Sequence, residues 1–139
     1  MLGKLIERRH DAGPNTLAAA IMTSYLDGKL WAHCERANHA LKKKRDAMLA
    51  ALEAYLGNSC SWSRPVGGLF IWVRLPEHVD MDALEAEAAQ RDVYFARGAN
   101  FQLQNEDVPY LRLAFGFPSA EDISEGIRRL AEAVERAAS

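Results

Sequence analysis

Two cysteines in 139 residues leave little from which to build a disulfide framework. Cys34 and Cys60 stand far apart and form no C-x-x-C pair. His10, His33, His39 and His78 are scattered, and the six-residue gap between His33 and His39 keeps them off one helical face, so no metal site is expected. Each cysteine reads as a buried or half-buried free thiol. An excess of charge is also missing. Seventeen Lys and Arg against nineteen Asp and Glu give a formal net charge of −2, without the basic footprint of a nucleic-acid binder. The one basic cluster, Lys42-Lys-Lys-Arg45, lies in a helical pattern followed by Asp46 and Glu53 and reads as a solvated helix face. Apolar runs are short: a stretch such as Gly67 to Val73 falls far below the roughly 20 residues of a membrane-spanning helix. The N-terminal Met-Leu-Gly-Lys-Leu-Ile-Glu-Arg-Arg-His has charges where a signal peptide has its apolar core. Internal repeats and low-complexity segments are absent. The expectation is a cytoplasmic chain with no membrane and no nucleic-acid partner.

What is present is an ordinary globular composition, 49% hydrophobic and 26% charged, long enough for one domain with its own core. Gly13-Pro14 and Asp27-Gly28 bracket a short helix over 15–26, with Leu17, Ile21 and Tyr25 on one face. A long helix is predicted over 29–56, with a stripe of Cys34, Leu41, Met48, Leu52, Tyr55 and Leu56 and a stop at Gly57-Asn58. At 1.5 Å per residue it would run about 40 Å, too long for the remaining chain to cover on all sides. A brief strand is predicted at Ser61-Trp-Ser, a turn at Gly67-Gly68, and a strand over 69–75 ended by Pro76. Asp80 or Asp82 can cap a helix that presents Met81, Leu84 and Ala88. Further strands are predicted over 93–95 and 110–115, separated by a polar loop from Gly98 to Pro109. Pro118, the N-cap Ser119, the acidic first turn Glu121-Asp122 and the stripe Ile123, Ile127, Leu130, Val134 mark a last helix. The fold class is α+β: a small, mostly antiparallel sheet with helices packed on one face, preceded by a long helix.

Alternation along 110–115 puts Leu111, Leu113 and Phe115 on one face and Tyr110, Arg112 and Ala114 on the other. Arg112 therefore does not share the core of the leucines. Spacing leaves two readings open, a surface arginine or a planar fork that meets a carboxylate with two parallel hydrogen bonds. Glu85 and Glu87 read as a solvated helix face, and Trp31, Trp62 and Trp72 as core or interface rather than cofactor stackers.

Several motifs taken in order carry a resemblance: Tyr25-Leu-Asp-Gly-Lys-Leu30 with His33, Pro65-Val-Gly-Gly-Leu-Phe-Ile-Trp-Val-Arg-Leu-Pro76, Val93-Tyr-Phe-Ala-Arg-Gly98 with Phe101, Leu111-Arg-Leu-Ala-Phe115, and Glu121-Asp-Ile-Ser-Glu-Gly-Ile-Arg-Arg-Leu130. Together they resemble the C-terminal portion of a class I/II, fold type I pyridoxal-phosphate aminotransferase, close to the 2-aminoadipate aminotransferases and the aminotransferase-like domains of MocR regulators. The resemblance implies that residues 1–28 are the tail end of a large cofactor domain, and that 29–139 are the interdomain helix and the C-terminal small domain. It implies Arg112 as the anchor of the substrate α-carboxylate, Gly67 and Gly68 as a turn along the substrate channel, and Asn15 and Thr16 as contacts to the neighbouring subunit of a homodimer. Tight-turn geometry and a helix start explain the glycines and Asn15 equally well.

Two departures stand out. Where the family usually has Pro-Gly, this chain has Arg97-Gly98, which loosens the loop and adds a charge expected near the mouth of the site. The family's Schiff-base lysine has no counterpart: lysines occur only at 4, 29, 42, 43 and 44, none in an S-x-x-K setting. The chain alone is thus expected to be inactive, with no catalytic residue of its own and no covalent hold on pyridoxal phosphate. The intact enzyme would exchange an amino group between an amino acid and a 2-oxo acid. The alternatives are the effector-binding domain of a MocR-type regulator and a non-catalytic interaction domain.

Overall fold

The computed structural model describes residues 15–101 and 108–138. The chain divides into two units, residues 1–38 and 39–139. In the first, Asn15 caps helix α1 (Thr16–Leu26) by accepting a hydrogen bond from the Ala18 amide at 3.0 Å, which satisfies one of the orphan donors of the first turn. Gly28, at φ +67°, turns the chain after α1. The Lys29 ammonium sits 5.3 Å from the centroid of the Tyr25 ring, which meets His33 edge-on. The expected stripe of α1 exists but is uncovered among the described residues, with Leu17 71% and Ile21 59% exposed. Helix α2 (Leu30–Leu56) begins in this unit and continues into the second.

The second unit carries a sheet of four strands, β1 (Ser61–Trp62), β2 (Phe70–Arg74), β3 (Ala96–Arg97) and β4 (Tyr110–Ala114). Their order is β1-β2-β4-β3 and every pairing is antiparallel. Helices α3 (Met81–Ala89) and α4 (Ala120–Ala137) complete it. Ile71 and Val73 of β2 and Leu111 and Leu113 of β4 are buried together with Met48, Leu52 and Leu56 of α2, Leu84 of α3, and Ile127 and Leu130 of α4. The helices of this unit therefore cover one face of the sheet, and among the described residues no polar side chain is buried in the core. The anticipated small antiparallel sheet with one helical layer is the fold observed.

The helix starts follow their caps. The Asp80 carboxylate accepts from the amides of Asp82 and Ala83 at 2.8 and 3.0 Å, and the Asp80 amide donates to the Ala137 carbonyl at 3.2 Å, tying α3 to the end of α4. Ser119 accepts from the Asp122 amide at 3.1 Å. The stripe of Ile123, Ile127, Leu130 and Val134 is buried as expected.

Three local expectations need correction. Residues 93–95 are not a strand. Asp92 adopts φ +57° and the Val93 amide donates to the Ala88 carbonyl at 3.0 Å, so the chain is still closing α3 and pairs with β4 only from Ala96. Tyr55 is not in the buried stripe of α2, being 46% exposed. The Lys42–Arg45 cluster is solvated only in its first half. Lys44 donates to the carbonyls of Gly116 and Phe117 at 3.0 and 3.2 Å, and Arg45 donates to the Pro65 carbonyl at 3.2 Å while pairing with Asp46. Both cysteines are free and half-buried, and burial raises the Cys60 thiol above its ordinary value.

Candidate functional site

The face of the sheet that the helices leave open is built by register. Phe70 stands opposite Ala114, Trp72 opposite Arg112, Arg74 opposite Tyr110, and Ala96 opposite Arg112 from the other side. Directly paired residues share a face, so Phe70, Trp72, Tyr110 and Arg112 project together, away from the leucine core. Arg112 is half-buried there. Its guanidinium carbon lies 4.1 Å from the centroid of the Phe70 ring and 4.2 Å from that of Phe101. Phe101 also meets Trp72 edge-on, with centroids 5.3 Å apart and the planes at 86°.

Phe101 reaches this position from a single 3-10 turn (Gly98–Phe101) that follows β3. Gly98 makes the turn possible: a Cβ at that position would lie 2.7 Å from the Tyr110 Cβ and 3.0 Å from its carbonyl oxygen. Only a residue without a side chain lets the turn lie this close to β4. Trp72, Gly98, Phe101, Val108 and Tyr110 line an open hollow of about 410 Å³.

Among the described residues Arg112 has no ion pair and no hydrogen-bond partner for its guanidinium, whereas the neighbouring arginines are engaged. Arg74 pairs with Glu77 at 3.5 Å and Arg64 with Glu53 at 2.9 Å. Arg97 is opposite Leu111 and so turns to the helical side, where it meets Asp82 and Glu85 of α3. The extra charge expected near the mouth of the site is thus drawn to α3 instead, and Glu85 and Glu87 are not merely solvated, since Glu87 pairs with Arg91 at 2.6 Å. Arg112 is thus a half-buried planar cation on the open face, among aromatic side chains.

The other expected site residues are placed as follows. Gly68 takes φ +83°, a backbone state that glycine adopts freely, and Gly67 has open space around it; both lie in the bend leading into β2. Asn15 caps α1 and Thr16 opens it, and both are exposed. Trp72 belongs to the open face rather than to the core, and Trp31 is 78% exposed. Among the described residues no group of histidine, cysteine and carboxylate side chains could hold a metal, and no helix is long and apolar enough to cross a membrane. Sequence reasoning assigns no role to Phe70 and Phe101. The parity of β2 against β4 could have found Phe70, but only the fold of the 3-10 turn brings Phe101 to the same point.

Pyridoxal phosphate, the cofactor of the resembled family, finds no covalent holder in the described residues. Lys44 is committed to two backbone carbonyls and Lys29 lies over Tyr25. Lys42 and Lys43 are exposed on α2, and the sheet bearing Arg112 has no lysine. The described lysines do not fit the role of that group's covalent holder.

No family model matches the chain. It is 34% identical over 126 residues to aromatic-amino-acid aminotransferase 1 of Thermococcus litoralis, covering 90% of this chain and 30% of that protein. It is 27% identical over 135 residues to the HTH-type transcriptional regulator YdfD of Bacillus subtilis, covering 96% of this chain and 28% of the regulator. Among solved structures, the α-aminoadipate aminotransferase LysN of Thermus thermophilus, in complex with N-(5'-phosphopyridoxyl)-L-leucine, superposes with a TM-score of 0.76 at 30% identity, over 81% of this chain and 29% of that one. The chain therefore spans less than a third of the length of these relatives. With its small antiparallel sheet, its helical layer and its similarity along nearly its whole length to these proteins, the chain belongs to the fold type I pyridoxal-phosphate aminotransferase family.

Proposed function

We infer that the chain is the carboxylate-binding part of an aminotransferase, in which Arg112 anchors the α-carboxylate while an amino group moves between an amino acid and a 2-oxo acid. The observation that carries this reading is the guanidinium of Arg112, without an ion-pair or hydrogen-bond partner among the described residues and set on the open face of β4 within the stretch shared with aminotransferases. A carboxylate placed against its edge would receive two N–H donors with the charge neutralised, and the phenyl rings around it would exclude competing water. The amine chemistry belongs to a cofactor domain that this reading assigns to the protein beyond residues 29–139, with residues 1–28 as its tail and the protein working as a homodimer. Asn15 and Thr16 would then face the neighbouring subunit, and the exposed apolar face of α1 supports an interface there.

The similarity to a helix-turn-helix regulator over 96% of the chain favours a second reading, an effector-binding domain in which the same arginine holds an amino acid or its oxo analogue without turnover. Reading the open frame upstream of Met1, then assaying the full product for amino transfer from a panel of amino acids to 2-oxoglutarate, separates the two. A cofactor domain alone with turnover supports the enzyme. A winged helix ahead of that domain, with ligand-dependent DNA binding and no turnover, supports the regulator. The absence of both a cofactor domain and turnover would overturn the first reading.

A further inference from the structure

Two phenyl rings lie against the Arg112 guanidinium, with centroids 4.1 and 4.2 Å from its central carbon, both within cation–π range. The rings come from different elements, Phe70 from the first residue of β2 and Phe101 from the last of the 3-10 turn, and Trp72 braces Phe101 edge-on. Neither ring serves the core, for Phe70 is 41% and Phe101 46% exposed. A guanidinium free of such a clamp rotates about its side-chain torsions and presents its donors in many planes. Held against two rings, it has fewer planes open to it, and a carboxylate that docks along its edge makes two parallel hydrogen bonds.

We propose that Phe70 and Phe101 are positioning residues that fix the plane of Arg112, so that a substrate carboxylate docks edge-on to a preset fork. The proposal rests on the reading of Arg112 as carboxylate anchor and adds that the anchor's orientation is set by two aromatic rings from separate elements. It follows that the clamp serves only a planar cation. A lysine at position 112 would have a charge but no plane to hold.

Two measurements test this. In the 139-residue chain, the Arg112 Nε–H proton should resonate upfield of that of an exposed arginine such as Arg136 through the ring currents. The shift should diminish in Phe101→Leu and persist in Phe101→Tyr. An Arg112 signal at the position of a solvated arginine overturns the clamp whatever the protein's activity. In the protein that joins this chain to its cofactor domain, Phe70→Leu and Phe101→Leu should each raise KM for the amino donor about two- to fivefold with little change in kcat, and Phe101→Tyr should behave as the parent. In an Arg112→Lys background the same leucine substitutions should have no further effect. If Arg112→Ala destroys kcat/KM while both leucine variants match the parent, the clamp is refuted and the anchor stands. If Arg112→Ala is silent, the anchor itself fails. Because both rings are substantially exposed, the leucine variants should keep the parent's melting temperature, which separates these outcomes from misfolding.

Discussion

Gly98 and Tyr110 approach so closely that one added methyl group at Gly98 would overlap the tyrosine Cβ, 2.7 Å away. The 3-10 turn and β4 are thus held together by the absence of a side chain. Gly98→Ala should push the turn off β4 and carry Phe101 with it. The expected outcome is a loss of about 1–3 kcal/mol in unfolding free energy, read from urea midpoints, together with a diminished ring-current shift at Arg112. A variant as stable as the parent with Arg112 unshifted would show that the turn yields elsewhere.

Replacing the arginine should affect ligand rather than fold. Arg112→Ala in the intact protein should cost roughly 2 to 5 kcal/mol in kcat/KM, and Arg112→Lys should also lose activity because the charge survives without the fork. Cofactor content and melting temperature should hold, since the side chain faces away from Leu111, Leu113 and Phe115. Full activity on every donor, or a collapse in stability, would reduce Arg112 to a surface or structural residue.

Acid should loosen α4 through Glu125. Hydrogen bonds from Arg128 and Arg129 hold its carboxylate down from an ordinary 4.5 to about 2. A depressed folded pKa means that the contribution is fully present above about pH 4.5 and is lost as pH falls through about 2. Asp80 moves in the same direction, held low by the amides of Ala83 and Asp82. Urea midpoints measured from pH 7 to pH 2 should fall more steeply in the parent than in Glu125→Gln. Parallel curves would mean that solvent screens the pair completely.

Pyridoxal phosphate added to the 139-residue chain and reduced with borohydride should mark no single lysine stoichiometrically, because Lys44 is occupied by the carbonyls of Gly116 and Phe117 and the remaining described lysines are solvated or stacked. Peptide mapping that finds one quantitatively labelled lysine would overturn the expectation that this chain has no covalent holder of its own.

Where a structural signal is local, the sequence discloses it. The caps Asp80 and Ser119, the stop at Pro76 and the four-residue stripe of α4 need only a few neighbours to act, and all lie where the pattern puts them. Arg112 is legible as a non-core residue for the same reason, since alternation along one strand needs no partner. The illegible parts depend on chain reversals. Asp92 in a left-handed conformation delays β3 by three residues, although Val93-Tyr-Phe95 has strong strand propensity, because the backbone is still closing α3. Lys44 and Arg45 look like solvated charge until the loops ending at Pro65 and Phe117 fold back over α2. Phe101 could not be assigned at all, since its meeting with Arg112 depends on a turn whose close approach to β4 is set by one glycine.

The alternation of β4 divides labour between the two sides of a single strand. Leu111 and Leu113 hold the fold together from one side, and Arg112 lies on the other with rings that bury little. Phe70, Trp72 and Phe101 lie outside the core cluster, on the opposite face of the sheet. The open face can therefore vary with little cost to the core. A library randomised on the open face should yield folded proteins at nearly every member, whereas one randomised at Ile71, Val73, Leu111 and Leu113 should yield few.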